Sequence, residues 1–163
     1  MDITIHSASL CGEVAAIPSK SAAHRALICA ALCDRETVLA VDAISRDIRA
    51  TMACLSAMGA QIGEDGGRLC VTPIDVPIQS PMLPCGESGA TLRFLLPVAA
   101  VLGGGLLTGE GRLPLRPLSP LLEALSGHGC CFDRDGLPLM LRGRLEGGVF
   151  RLAGDVSSQF ITG

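Results

Sequence analysis

Apolar blocks along this chain alternate with short polar punctuation, and the blocks recur. Ser19 to about Cys33 reads as a helix, followed by a strand over Thr37 to Leu39. Ser88 to about Leu102 reads as a second such helix, followed by a strand over Leu106 to Thr108. Each pair leads to a helix end, a glycine stop, a short strand, an Asp-Gly turn and another strand. The two versions align seventy residues apart: Leu55 with Leu125, Ser56 with Ser126, Gly59 with Gly129, Asp65-Gly66 with Asp135-Gly136. The predicted unit is strand–helix–strand–helix–strand–strand, used over about 13–75 and again over about 80–145. That period is too long for a solenoid and predicts a mixed α/β, pseudo-symmetric domain.

A third copy is expected to start over 148–163. A strand from Val149 to Ala153 should lead into Gly154-Asp155-Val156-Ser157-Ser158-Gln159, which aligns with the run Gly86 to Thr91. A helix should begin at the serines. A helix stopped in its first turn is expected of a piece of a longer protein. At the other end, Ile3 and Ile5 alternate with Thr4 and His6, which suits a half-buried strand over Asp2 to Ser7.

Composition narrows the classes. Aromatic residues are 2% of the chain, with no Trp or Tyr, so the core must be built from Leu, Val, Ile, Ala and Cys. The same lack removes the stacking faces that single-stranded nucleic acid needs. A net charge of -3 offers no broad basic field for a phosphate backbone. Twelve of the thirteen basic residues are Arg, and Lys20 is the only Lys. The eight cysteines form no C-x-x-C, and His6, His24 and His128 lack ligand spacing, so buried free thiols and no metal are expected. No leader is evident. The longest apolar run, Phe94 to Leu107, contains Pro97 and three glycines and is too short to span a bilayer. A cytoplasmic protein without membrane or nucleic-acid partners is expected.

The chemistry concentrates at three helix starts: Pro18-Ser19-Lys20-Ser21, Gly86-Glu87-Ser88-Gly89 and Ser157-Ser158-Gln159. Serine there is ordinary capping. Helix N-termini also attract anions, and two of these starts carry nearby cations, Lys20 with Arg25 and Arg93. Three equivalent starts therefore point to one convergent anion site. It is not a Walker A loop, because Ser19 rather than Gly precedes Lys20. Nor is it a dinucleotide fingerprint, because Gly103 to Gly105 end a helix.

These stretches resemble a known family. PSKSAAHRALICAAL resembles the S-K-S-x-x-x-R signature of 5-enolpyruvylshikimate-3-phosphate synthases, and CGESGATLRFL their G-N-x-G-T-x-x-R segment. GEGRLPLRPLSPLLEAL is similar to their segment with R-P before a helix, and GDVSSQFIT to their S-S-Q motif. The four occur in the family's order. The resemblance implies two lobes, each an inside-out α/β barrel of pseudo-threefold βαβαββ units. Residues 1–12 would then belong to a second lobe and 13–163 to an incomplete amino-terminal one. It implies transfer of the enolpyruvyl group of phosphoenolpyruvate to the 5-hydroxyl of shikimate 3-phosphate, by a monomer that needs no metal or organic cofactor.

Roles follow from the same resemblance. Ser21 and Arg25 would hold the shikimate carboxylate, and Ser157 and Ser158 the 3-phosphate. Lys20 would stand between the substrates as the catalytic cation. Gln159 would lie by the ring and the enolpyruvyl group, Arg116 would take phosphoenolpyruvate, and the Gly89 backbone would donate to its phosphate. Arg93 is expected to pair with a structural carboxylate, and His24 is given no role. Glu87 and Ala90 stand where Asn and Thr are usual, and Glu87 is expected to pair with an Arg. The family draws its acid and base from the second lobe, so this chain alone is expected to bind without turnover. Two other readings are a non-catalytic binding module and a transferase acting on UDP-N-acetylglucosamine. The S-K-S and S-S-Q motifs disfavour the last.

Overall fold

The computed structural model describes residues 3–4, 9, 11–14, 16, 19–155 and 157–162. Helix α1 (Lys20–Leu32) begins where the Ser19 hydroxyl accepts the Ala22 N–H at 3.3 Å. Strand β1 (Thr37–Ala40) follows, then helix α2 (Arg46–Met58) and the strands β2 (Gln61–Asp65) and β3 (Arg68–Thr72). The second run contains β4 (Met82–Pro84), α3 (Gly89–Leu102), β5 (Gly105–Thr108), a 3-10 turn at Leu113–Leu115, α4 (Ser119–Ser126), β6 (Cys130–Phe132) and β7 (Leu139–Gly143). A short helix, α5 (Ser158–Thr162), comes last.

The fold is mixed α/β with two sheets. The first has the order β1-β3-β2, antiparallel throughout; the second has the order β4-β5-β7-β6, with β4 parallel to β5 and the rest antiparallel. In both, the later strand of the closing pair lies in the middle. The β2–β3 turn forms as its residues require. Asp65 faces Arg68, and Gly66 and Gly67 take φ values of 52° and 81°, the left-handed pair that a two-residue hairpin needs. The Asp-Gly turn expected at 135–136 is instead a longer loop, closed when Asp133 Oδ1 accepts the Met140 N–H at 2.8 Å.

One apolar core runs through both halves, from Leu27, Ile48 and Leu55 to Leu95, Leu107 and Leu139. Glycine ends α2 and α3 at Gly59 and Gly103, both at positive φ. An apolar groove of about 530 Å³ stays open between α1 and α3, lined by Ile28, Leu32, Val98 and Val101, with Arg25 and Thr162 on its rim. No helix among the described residues is long and apolar enough to cross a membrane.

Three expectations change. Cys54, Cys85 and Cys130 are buried, but Cys11, Cys29, Cys70 and Cys131 are exposed. Strand alternation turns Cys70 and Cys131 outward. Residues 149–153 form no strand, and Phe150 stacks on His128 with ring centroids 3.8 Å apart. Of the strand expected over Asp2 to Ser7, Ile3 and Thr4 are exposed and irregular; the rest lies outside the described residues.

The start of α2 bears on the site below. The Ser45 hydroxyl caps it by accepting the Ile48 N–H at 3.3 Å. Ser45→Ala is expected to cost about 1 kcal/mol, seen as a lower urea midpoint at unchanged slope. An unchanged midpoint would mean that the cap contributes nothing.

Candidate anion-binding site

The first helix start carries Lys20 and Ser21, both exposed, and Arg25 one turn on. A cation at a helix N-terminus is unfavourable against the dipole. Here it has a partner: Lys20 Nζ lies 2.6 Å from Asp47 Oδ2 in the first turn of α2. Arg25 donates to the Ser21 carbonyl at 3.0 Å and to Thr162 Oγ1 at 3.1 Å, and its guanidinium stands 4.8 Å above the Phe94 ring. It thus ties α1 to α3 and α5.

The second start is more heavily charged. The Ser88 hydroxyl caps α3 by accepting the Thr91 N–H at 3.1 Å, and Gly89 is the first helical residue. Arg93 follows one turn later and is nearly buried. The carboxylate partner expected for it is absent among the described residues. Arg93 donates to Gln159 Oε1 at 2.7 Å and to the Pro117 carbonyl at 3.3 Å, and lies 4.9 Å over Phe160. Its Nε is buried and finds no partner among the described residues.

Arg116 comes in from the 3-10 turn. A Cβ added to Gly89 would lie 2.7 Å from Arg116 NH1 and 3.1 Å from Arg93 NH1. The missing side chain therefore leaves the space into which two guanidiniums converge. Burial first, and then the charge of Arg116, hold the Arg93 guanidinium below the usual arginine range. Neither arginine forms an ion pair with a carboxylate among the described residues. Arg116 also lines an open cleft of about 350 Å³ with Arg112 and Leu115. Two like charges beside the N–H groups of a helix start are relieved by an anion between them.

The third start is α5. The Ser157 hydroxyl accepts the Gln159 N–H at 3.2 Å, and the Ser158 carbonyl accepts from Thr162 Oγ1 at 2.9 Å. Phe160 is buried beneath Arg93. The structure thus brings Gly89, Arg93, Arg116 and Gln159 together, and links them through α5 to Arg25. Lys20 meets Asp47 and hydrogen-bonds to none of that group. The hydroxyls of Ser21 and Ser158 make no hydrogen bond to another element among the described residues.

Two details depart from expectation. Glu87 packs against the Gly111 Cα, where a Cβ would collide with its carboxylate, and forms no ion pair with an arginine among the described residues. Arg93 lies beside Gly89, Arg116 and Gln159 rather than in a structural ion pair among the described residues. The available signal was its spacing, four residues after Gly89 and so on the same helix face. Asp47 was also missed, although an acidic residue just after the Ser45 cap is an ordinary first-turn feature.

A helix start, two arginines without a carboxylate partner among the described residues and a glycine cradle thus meet in one place. The chain belongs to the family described as EPSP synthase (3-phosphoshikimate 1-carboxyvinyltransferase), whose model matches residues 5–163. A relative from Clostridium kluyveri, named 3-phosphoshikimate 1-carboxyvinyltransferase, is 38% identical over 165 residues; the match takes 99% of this chain and 39% of the relative. One of the same name from Methanothrix thermoacetophila is 39% identical over 168 residues, with 99% and 40% covered. The solved EPSP synthase of Acinetobacter baumannii superimposes with a TM-score of 0.77 at 21% identity, over 93% of this chain and 36% of that one. The chain therefore spans about 39% of the length of the curated relatives it matches.

Proposed function

We propose that the protein carrying this chain transfers the enolpyruvyl group of phosphoenolpyruvate to the 5-hydroxyl of shikimate 3-phosphate and releases phosphate. The observation that carries this reading is the pair Arg93 and Arg116 converging on Gly89 without a carboxylate partner among the described residues. Phosphoenolpyruvate supplies a phosphate and a carboxylate, the anions that arginine forks hold best. Arg116, Gly89 and Lys20 would bind it, with Gln159 beside the enolpyruvyl group. Ser21 and Arg25 would hold the shikimate carboxylate, and Ser157 and Ser158 the 3-phosphate.

In this reading residues 13–163 are an incomplete pseudo-threefold lobe, and 1–12 belong to a second lobe. The open apolar groove between α1 and α3 supports that division, because the remaining unit would cover it. The deciding assay gives the full-length protein phosphoenolpyruvate with either shikimate 3-phosphate or UDP-N-acetylglucosamine. Phosphate release is expected with the first alone. Release with the second alone would overturn the proposal.

Gly89→Ala tests the cradle. Its methyl would sit closer to both guanidiniums than ordinary contact permits. Arg116 is expected to swing aside and lose one charge-assisted bond, worth about 1.5 kcal/mol or roughly tenfold. The KM for phosphoenolpyruvate should rise by that factor, while the KM for shikimate 3-phosphate stays within about twofold on the same argument. Equal effects on both substrates would detach Gly89 from the phosphoenolpyruvate site.

A further inference from the structure

One set of buried polar side chains is unused by the anion site. His24 of α1, Thr51 of α2, and Ser88 and Thr91 at the start of α3 are each no more than 1% exposed, within an otherwise apolar core. His24 Nδ1 lies 2.7 Å from Thr51 Oγ1, which lies 2.8 Å from Thr91 Oγ1. Thr91 Oγ1 reaches Ser88 Oγ at 2.7 Å and the Asp47 carbonyl at 3.2 Å. The Asp47 carboxylate holds Lys20. An unbroken polar chain thus crosses α1, α2 and α3 and ends on the residue that fixes Lys20.

The proton order follows from what is left over. His24 Nε2 is buried and finds no partner among the described residues. An orphan N–H is rarer in buried sites than an under-used acceptor, which assigns the proton to Nδ1. His24 then donates to Thr51, Thr51 to Thr91, and Thr91 to Ser88 or to the Asp47 carbonyl, one proton per hydroxyl. Burial, opposed by the charge of Asp47, holds the imidazole below its ordinary value and so keeps it neutral. A buried hydrogen-bonded network of this kind, with the His24 Nε2 acceptor alone left over among its ring and hydroxyl atoms, favours one arrangement of the elements it joins.

We propose that His24, Thr51 and Thr91 are positioning residues for Lys20: their hydrogen-bonded chain fixes the first turn of α2 against α1 and α3, so that Asp47 holds the Lys20 ammonium in place at the start of α1. The inference rests, for its bearing on catalysis, on the enolpyruvyl-transfer reading; its test does not. Lys20 is the only lysine in the chain, so lysine labelled with ¹³C and ¹⁵N gives a single side-chain NMR signal in the 163-residue protein. Asp47→Asn sets the position of that signal when the ion pair is lost. Thr51→Val and Thr91→Val keep the side-chain shape and delete the hydroxyl. Each is expected to move the Lys20 signal at least halfway to the Asp47→Asn position, and Thr51→Ser, which keeps the hydroxyl, to leave it in place. Should a valine variant fail to fold, Thr91→Ser against Thr91→Ala carries the same comparison. Valine or alanine variants that lower the melting temperature while the Lys20 signal stays put would reduce the network to packing and overturn the proposal. The signal needs no substrate, so this failure is separate from failure of the phosphate-release assay.

Discussion

Lys20→Ala in the full-length protein is expected to cut kcat/KM by more than tenfold while barely moving the melting temperature. A cation in a helix's first turn works against the dipole, and among the described residues Asp47 is the carboxylate that offsets it, at 2.6 Å. Both partners keep solvent contact, with side chains 54% and 30% exposed. Such a surface pair is worth about 0–1 kcal/mol, so stability should fall by no more than that. A charge-assisted bond to an anionic substrate is worth about 1.5–3 kcal/mol, or roughly 10- to 150-fold in kcat/KM. Arg25→Ala is a less clean probe, because Arg25 also binds Thr162 and covers Phe94. Its loss should lower activity and loosen α5 together. Full activity in Lys20→Ala would make Lys20 an ordinary surface cation. A variant that unfolds readily would make its pair with Asp47 structural.

What the sequence disclosed was local. The starts of α1 and α3 were legible from Ser19 and Ser88, and the ends of α2 and α3 from Gly59 and Gly103, because caps act within a turn of their own residue. The two-glycine turn after Asp65 behaved likewise. The similar Asp135-Gly136 pair did not, since Asp133 bridges to Met140 and sets a wider loop. Lys20, Arg25, Gly89, Arg116 and Gln159 were located by motif, but their pairings were not. The hydrogen bond from Arg93 to Gln159, sixty-six residues away, is written in neither motif alone. The chain from His24 through Thr51 to Thr91 was hidden for the same reason: each member alone reads as a single polar residue on an apolar helix. Pairing across helices is a tertiary fact, and no local propensity encodes it.

The 163-residue chain by itself is expected to show no turnover. In the proposed reaction, forming the new ether bond requires a proton to leave the 5-hydroxyl, and proton transfer requires a base within about 2.6–3.2 Å of that proton's oxygen. Among the described residues, one carboxylate hydrogen-bonds to any of the site's side chains, and it is Asp47, already engaged by Lys20. Glu87 is turned onto Gly111. His24 is buried, with its ring nitrogen directed at Thr51. The remaining site groups are arginines, hydroxyls and an amide, which bind and orient anions but do not exchange protons near neutral pH. The chain therefore supplies donors without an acid–base pair. Calorimetry should detect binding of shikimate 3-phosphate or phosphoenolpyruvate, weakened because the proposed reading gives part of each contact surface to a second lobe, and the phosphate-release assay should stay at background. Binding that vanishes in Arg116→Ala and Arg25→Ala would place it at this site. Phosphate release by the isolated chain at a rate near that of the full-length protein would show that an acid and a base are already present within these residues.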